Sequence, residues 1–455
     1  MKKKEMISFS YEKLLNTKQI EKLSPEQLFS LKVVSSVLPF RVNNYIIDEL
    51  IDWNDIDNDP MFTLYFMNKK MLKENQFNLV ADIYNKNLSD IEKKDIISNI
   101  RLQLNPHPAK QLSSNVPVYK GKKVEGIQHK YSETCLIFPS AGQTCHAYCT
   151  FCFRWAQFVG DTSLKFSTAQ SNSHLKYIQS QKNITDILLT GGDPMVMKAD
   201  KLKHFIDPFL TPEFEHIKTI RIGTKSLVNF PYKYLDNEDS DNILKLFEEI
   251  VNSGKHLAIM VHINHWREMQ TDAFIQAVKR IKNTGAEIRT QSPILHSIND
   301  DASVWSRMWK EQVHLGLIPY YMFVERETGA EHYFNVPLYK AFNIYRDAFA
   351  VVSGLARTVR GPSMSSIPGK VVIDGIIEIE NKKYFVLNFI QARNPEWIKR
   401  PFLAHYDKRA TWLFQLKPAS KDGKFFFEDE LESMYGSNEF LLEGGTKNAE
   451  DFDLE

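Results

Sequence analysis

The 455-residue chain contains four cysteines, and three of them stand in the octapeptide "CHAYCTFC", at Cys145, Cys149 and Cys152. Thiols crowded at this spacing are metal ligands by type. A structural zinc site wants four protein ligands. His146 adjoins Cys145 and cannot reach the same ion, although a more distant histidine could, which leaves a zinc-stabilised binding module as the rival class. A [4Fe–4S] cluster instead takes one ligand per iron, so three cysteines leave one iron open to chelate a small molecule. Cys135 lies within the apolar run "TCLIF" and is expected simply to pack.

The elements around this loop have a regular rhythm. Short apolar runs recur at 134–138, 186–190, 219–223, 257–263, 287–291 and 318–324, and segments of helical period such as 241–254 and 271–285 lie between them. Alternating strand and helix predicts a parallel sheet with right-handed crossovers. About six units would make a partial barrel rather than a closed eight-stranded one. Each predicted strand runs into polar residues at its C-terminal end: the cysteine loop, "GGDP" (191–194), "GTK" (223–225), "HINH" (262–265), Gln291 with Ser292, and "ERE" (325–327). Catalytic groups of α/β barrels collect at that end. Residues 1–110 read as helices, with a capping-box pattern in "SPEQ". The barrel is assigned to 111–335. Residues 336–440 read as a helix, then a loop, then a hairpin turning at "ENKK" (380–383), and 441–455 as an acidic, disordered tail.

Composition removes other classes. Lys plus Arg number 57 against 56 Asp plus Glu, a net charge of +1. That balance gives no electrostatic reason for nucleic acid or an anionic membrane as partner. No apolar run approaches the ~20 residues that span a bilayer. The basic "MKKKEM" is not followed by an apolar core, so it does not read as a secretory signal. Cysteines gathered in one loop fit a reducing, cytoplasmic compartment.

Cys-x3-Cys-x2-Cys after the first strand of a partial barrel resembles the signature of radical S-adenosylmethionine enzymes. "LLTGGDP" is similar to that superfamily's second motif, which implies that Gly191, Gly192 and Asp193 contact S-adenosylmethionine. From about residue 100 to about 375 the chain resembles the lysine 2,3-aminomutase family, through "HKY", "CTFCFRW", "IRIGTK", "VHINHWREM", "TQSPILHSIND", "PYYMF" and "GAEHYFNVPLYKA".

The resemblance implies pyridoxal 5′-phosphate as a further cofactor, held as a Schiff base by Lys370 in "SSIPGKVVIDG". It implies Arg154 as the ligand of a substrate α-carboxylate, and places His262, Asn264, Gln291 and Ser292 near the adenosyl group or the pyridoxal. The expected reaction is migration of an amino group from carbon 2 to carbon 3 of a free amino acid, begun by a 5′-deoxyadenosyl radical. A flavodoxin- or ferredoxin-type electron donor and a homo-oligomer are expected with it. Radical chemistry without pyridoxal, and a protein lysine as substrate, are the other readings within the family. Two departures bear on the substrate. No cysteine follows Cys152, so the family's C-terminal zinc ligands are absent. The two aspartates that hold a lysine side chain in lysine-specific members are replaced, one by Glu325 or Arg326 and the other by Ser363 or its neighbours. Arg326 facing the pocket implies an acidic side chain such as glutamate; Glu325 or Glu327 facing it implies a basic one.

Overall fold

The computed structural model describes residues 4–435 except 87, 111–113, 162–163, 169–171 and 236–237, so the predicted acidic tail lies outside the described residues. An eleven-stranded sheet, its strands side by side in chain order, carries the fold. The strands are β1 (Ile127–Tyr131), β2 (Thr134–Ile137), β3 (Asp186–Leu189), β4 (Thr219–Thr224), β5 (His256–His262) and β6 (Glu287–Ile294). They continue with β7 (Ile318–Val324), β8 (Arg360–Ser365), β9 (Gly369–Ile379), β10 (Lys382–Ala392) and β11 (Phe402–His405). β2 through β8 pair in parallel. β1 and the β9–β11 meander are antiparallel additions at the two ends.

The sheet is rolled, because residues from its distant strands touch. Lys370 of β9 holds its Nζ 5.7 Å from the ring centre of Tyr131 in β1 and 4.6 Å from that of Tyr321 in β7. Alternation within the strands tells the two faces apart. In β4, Ile220 and Ile222 are buried and join the core, whereas Arg221 between them is partly open to the inside of the roll. The N-terminal helices belong to the same core: Leu31 and Val34 cluster with Ile187, Ile220 and Ile259. Ser24 and Gln27 cap the helix Pro25–Val37 reciprocally, as the sequence predicts. A second cluster, built on Phe389, Phe402 and Phe427, supports the meander.

Two expectations need correction. The parallel array has seven strands, not six, because 360–365, read as loop, is β8. Its residues "RGPSMS" show no apolar alternation, yet Gly361 to Met364 are all buried. Such a strand is buried on both faces, and its signal is steric rather than periodic: a Cβ at Gly361 would stand 2.4 Å from the Met322 carbonyl oxygen of β7. β1 and β11 were also not foreseen. The hairpin turn falls within the predicted "ENKK", with Glu380 and Asn381 both at positive φ, as a tight two-residue turn between twisted strands requires.

Candidate active site

The cysteine loop follows β2 at the C-terminal end of the parallel strands. Its thiols carry no disulfide. Burial pushes Cys149 up to about 12 and Cys152 up to about 11, and Cys145 also rises well above a free thiol. Their neighbours work the other way: Arg41 favours the Cys145 thiolate, Lys225 that of Cys149, and the Arg154 backbone N–H and side chain that of Cys152. Desolvated thiols ringed by cations suit deprotonated, metal-bound sulfurs. Among the described residues no three His, Cys, Asp or Glu side chains converge on one ion. A cluster does not need that convergence, since each thiolate takes its own iron. His146 turns away into the core, stacked on Phe230 with ring centres 6.0 Å apart, and burial pushes it down to about 3.

The turn at 191–193 packs directly on the cysteine loop. Asp193 N donates to the carbonyls of Gly142 (2.9 Å) and Thr144 (2.8 Å). A Cβ on Gly192 would lie 2.6 Å from both N and O of Thr144, so only glycine allows this approach. Gly191 sits at φ +143 with the Gln143 side chain over it, and Gln143 Oε1 is buried without a partner among the described residues. The Asp193 carboxylate is occupied: Oδ1 accepts from Met195 N (2.9 Å) and Thr224 Oγ1 (2.6 Å), Oδ2 from Lys225 N (2.9 Å), and the Ser226 N–H adds a fourth bond. Burial nevertheless holds its pKa up to about 6. With its lone pairs filled, this turn can offer a ligand backbone rather than carboxylate.

A buried network runs beneath the next two loops. Lys225 Nζ donates to Glu268 Oε1 (2.6 Å) and Asn264 Oδ1 (2.8 Å), and Asn264 Nδ2 donates to Ser292 Oγ (2.9 Å). Glu268, fully buried, also accepts from the backbone N–H groups of Asn264 and His265. Asn264 and Ser292 therefore brace the floor of the site together. His262, at the end of β5, lies beside Phe151 (5.8 Å between ring centres), and burial pushes it down to about 3, a neutral imidazole. Gln291 sits in β6 opposite His262 and, with partial exposure, faces the inside of the roll. Sequence reasoning missed Lys225 and Glu268, although both lie in stretches singled out above, "GTK" and "VHINHWREM".

Arg154 lies with its guanidinium carbon 4.6 Å from the Phe138 ring centre and 4.9 Å from that of Phe153. Burial and the nearby Arg326 push it down to about 10. Arg326 stands over the same Phe153 ring at 5.2 Å and donates from Nη2 to Ser365 O (3.0 Å). Glu325 beside it is buried, and burial drives its carboxyl well above the ordinary range. Ser363 is wholly buried, with an Oγ that has no partner among the described residues.

Lys370 is the second residue of β9, paired with Ser365 and Gln391. Its Nζ donates to Gln391 Oε1 (2.7 Å). Burial, reinforced by Arg221 and Arg360, brings its pKa down to about 7. Lys130, which donates to Ser366 O, is also pushed well below its ordinary value, by burial and by Arg393, Arg326 and Lys370. Basic side chains thus follow one another from Arg154 through Arg326 and Lys130 to Lys370, each close enough to disfavour the charge of the next.

No family model matches the chain. An Aquifex aeolicus (strain VF5) protein named "Putative L-lysine 2,3-aminomutase" is 30% identical over 385 residues, 84% of this chain and 89% of that protein. The chain belongs to the lysine 2,3-aminomutase family. It is an enzyme, an aminomutase of the radical S-adenosylmethionine type. The L-lysine 2,3-aminomutase of Escherichia coli (strain K12) is 28% identical over 55% of this chain and 69% of its own. The glutamate 2,3-aminomutase of Clostridioides difficile (strain 630) is 26% identical over 50% of this chain and 51% of its own. Among solved structures, Streptococcus suis SuiB bound to precursor peptide SuiA superposes with a TM-score of 0.34 and 12% identity, over 57% of this chain and 52% of that one. That overlap is too loose to carry an argument. No helix among the described residues is long and apolar enough to cross a membrane.

Proposed function

We propose that this aminomutase holds a [4Fe–4S] cluster on Cys145, Cys149 and Cys152 and pyridoxal 5′-phosphate on Lys370, and acts on a free α-amino acid with an acidic side chain. The observation that carries this reading is the amine of Lys370: desolvated, near neutral pKa and enclosed between Tyr131 and Tyr321. A lysine amine becomes a nucleophile at neutral pH under those conditions. Arg326 and Arg393 both lie close enough to Lys130 to disfavour its charge, and a group of basic side chains of this kind suits a bound phosphate.

When bound, the cluster with S-adenosylmethionine supplies a hydrogen-abstracting radical, and pyridoxal phosphate supplies delocalisation for the migrating nitrogen. The chain's own residues do the rest. Arg154, beside the cysteine loop and with a guanidinium that makes no hydrogen bond or ion pair among the described residues, receives the α-carboxylate. Arg326 receives the side-chain carboxylate, and burial disfavours a competing negative charge on Glu325. Phe138, Phe151 and Phe153 keep water from the reacting carbon. A low-potential flavodoxin or ferredoxin supplies the electron.

Anaerobically reconstituted protein, assayed with glutamate, aspartate, lysine and arginine for β-amino products by mass spectrometry, tests the substrate. Acidic amino acids should turn over and lose turnover in Arg326→Gln. Efficient turnover of lysine alone, unchanged in Arg326→Gln, would reject the acidic reading.

A further inference from the structure

The cysteine loop is gripped from outside the sheet, by the N-terminal helical region. Arg41 donates from Nη1 to Thr144 Oγ1 (2.7 Å) and Cys145 O (3.3 Å), covers the Tyr148 ring at 4.7 Å, and accepts at its own carbonyl from Tyr148 N (2.9 Å). Asn43 Nδ2 donates to His146 O (3.1 Å) and Asn229 O (2.9 Å). Thr150 donates from N to Leu64 O (3.0 Å) and from Oγ1 to Thr63 O (2.8 Å).

The same region grips the loop after β7. Gly329 N donates to Leu104 O (2.9 Å), Asn105 Nδ2 donates to Glu327 O (2.7 Å), and Thr328 Oγ1 reaches Asn105 O (2.5 Å). Thr328 Oγ1 also accepts from Nε1 of Trp155, three residues past Cys152 (2.9 Å). These two loops follow the first and sixth parallel strands, far apart in sheet order, so no strand ladder fixes one against the other.

We infer that residues 41–105 act as a staple across the mouth of the roll, fixing the cysteine loop against the 325–329 loop, with Arg41 as the positioning residue and Trp155–Thr328 as the joint. The physical need is plain. Ligands of a cluster tolerate errors of only a fraction of an ångström, and groups beyond the ligands set their orientation. Arg41 adds a fixed positive charge beside Cys145, which stabilises a reduced, more negative cluster. The inference rests on the proposed cluster, and the experiment separates the two.

Hydrogen–deuterium exchange of the iron-free protein reads the loop directly. Arg41→Gln should speed exchange across 144–152 several-fold, Arg41→Lys less, and neither should change the 369–392 hairpin. Thr328→Val should speed exchange in 325–329 and 153–158 and leave 144–148 alone. After reconstitution, the cluster potential should move to more negative values in Arg41→Gln and stay near wild type in Arg41→Lys, which keeps the charge. Wild-type exchange at 144–152 in Arg41→Gln would overturn the staple, and an unchanged potential would overturn the role of its charge. If the wild type takes up no iron, the cluster reading fails while the exchange comparison still decides the staple.

Discussion

The parallel strands β2–β8 and the antiparallel meander β9–β11 hold the two halves of the proposed site, and they are built on different principles. On the parallel side the chemical groups are local. Three cysteines, the 191–193 turn and Arg154 come from loops at one end of successive strands, packed backbone to backbone through Gly192 and Thr144. On the meander side a single lysine takes its character from residues on other strands, some of them far away in sequence: Tyr131, Arg221, Tyr321, Arg360 and Gln391. The cysteine loop keeps its thiols together in sequence, although residues 41–105 hold it in place, whereas a tuned amine exists only where the whole sheet has rolled up around it.

The sharpest way to break this comparison is to disable one half and ask whether the other survives. Cys149→Ala should reduce bound iron and S-adenosylmethionine cleavage to background, yet leave pyridoxal trapped on Lys370 by borohydride, as peptide mapping would show. Lys370→Ala should do the converse: no trapped pyridoxal, normal iron, normal reductive cleavage, no β-amino product. Loss of both activities in either variant would mean that the halves fold or function as one unit.

Arg154→Gln should have a smaller effect. Removing one partner of a desolvated charge pair costs about 2–4 kcal/mol, roughly 30- to 1,000-fold in kcat/KM. The loss should appear with every amino acid substrate, because the α-carboxylate is common to all. The mildest effect is that of pH on pyridoxal phosphate uptake. Lys370 has its pKa lowered to about 7, so its reactive neutral form is present above that pH and lost below it. Uptake by the iron-free protein should therefore rise about tenfold between pH 6 and 8 and then level off. An ordinary lysine would still be gaining at pH 10.

The parallel array was legible because its signals are local. Apolar runs and cysteine spacing survive in one dimension, and β7 falls on the predicted 318–324. What the sequence did not disclose depends on contacts across the roll. β8 was read as loop because "RGPSMS" is polar and punctuated by Gly and Pro, and only the approach of Met322 explains its glycine. Asp193 reads like a ligand-binding acid in "GGDP", but its oxygens are filled by Met195, Thr224, Lys225 and Ser226. Whether Glu325 or Arg326 meets the substrate could not be read from "VERE", where a one-residue slip exchanges them. The fold buries Glu325, which raises its pKa, and sets Arg326 over Phe153 beside Arg154, the arrangement on which the proposal of an acidic substrate rests.

Where the rolled sheet returns on itself, β1 meets the start of β9 through side chains: Lys130 reaches Ser366 O, and Arg393 reaches Asn115 and the Ser114 carbonyl. Among the described residues no ladder of backbone bonds crosses that line. A barrel sealed by its backbone has its bore dictated by strand number and stagger. A wall closed by lysine and arginine arms has an adjustable bore, since a longer or shorter arm changes the girth without re-registering a strand. Substrates of different length could then be fitted by point substitution along that line, which runs beside β2 and the cysteine loop it leads into.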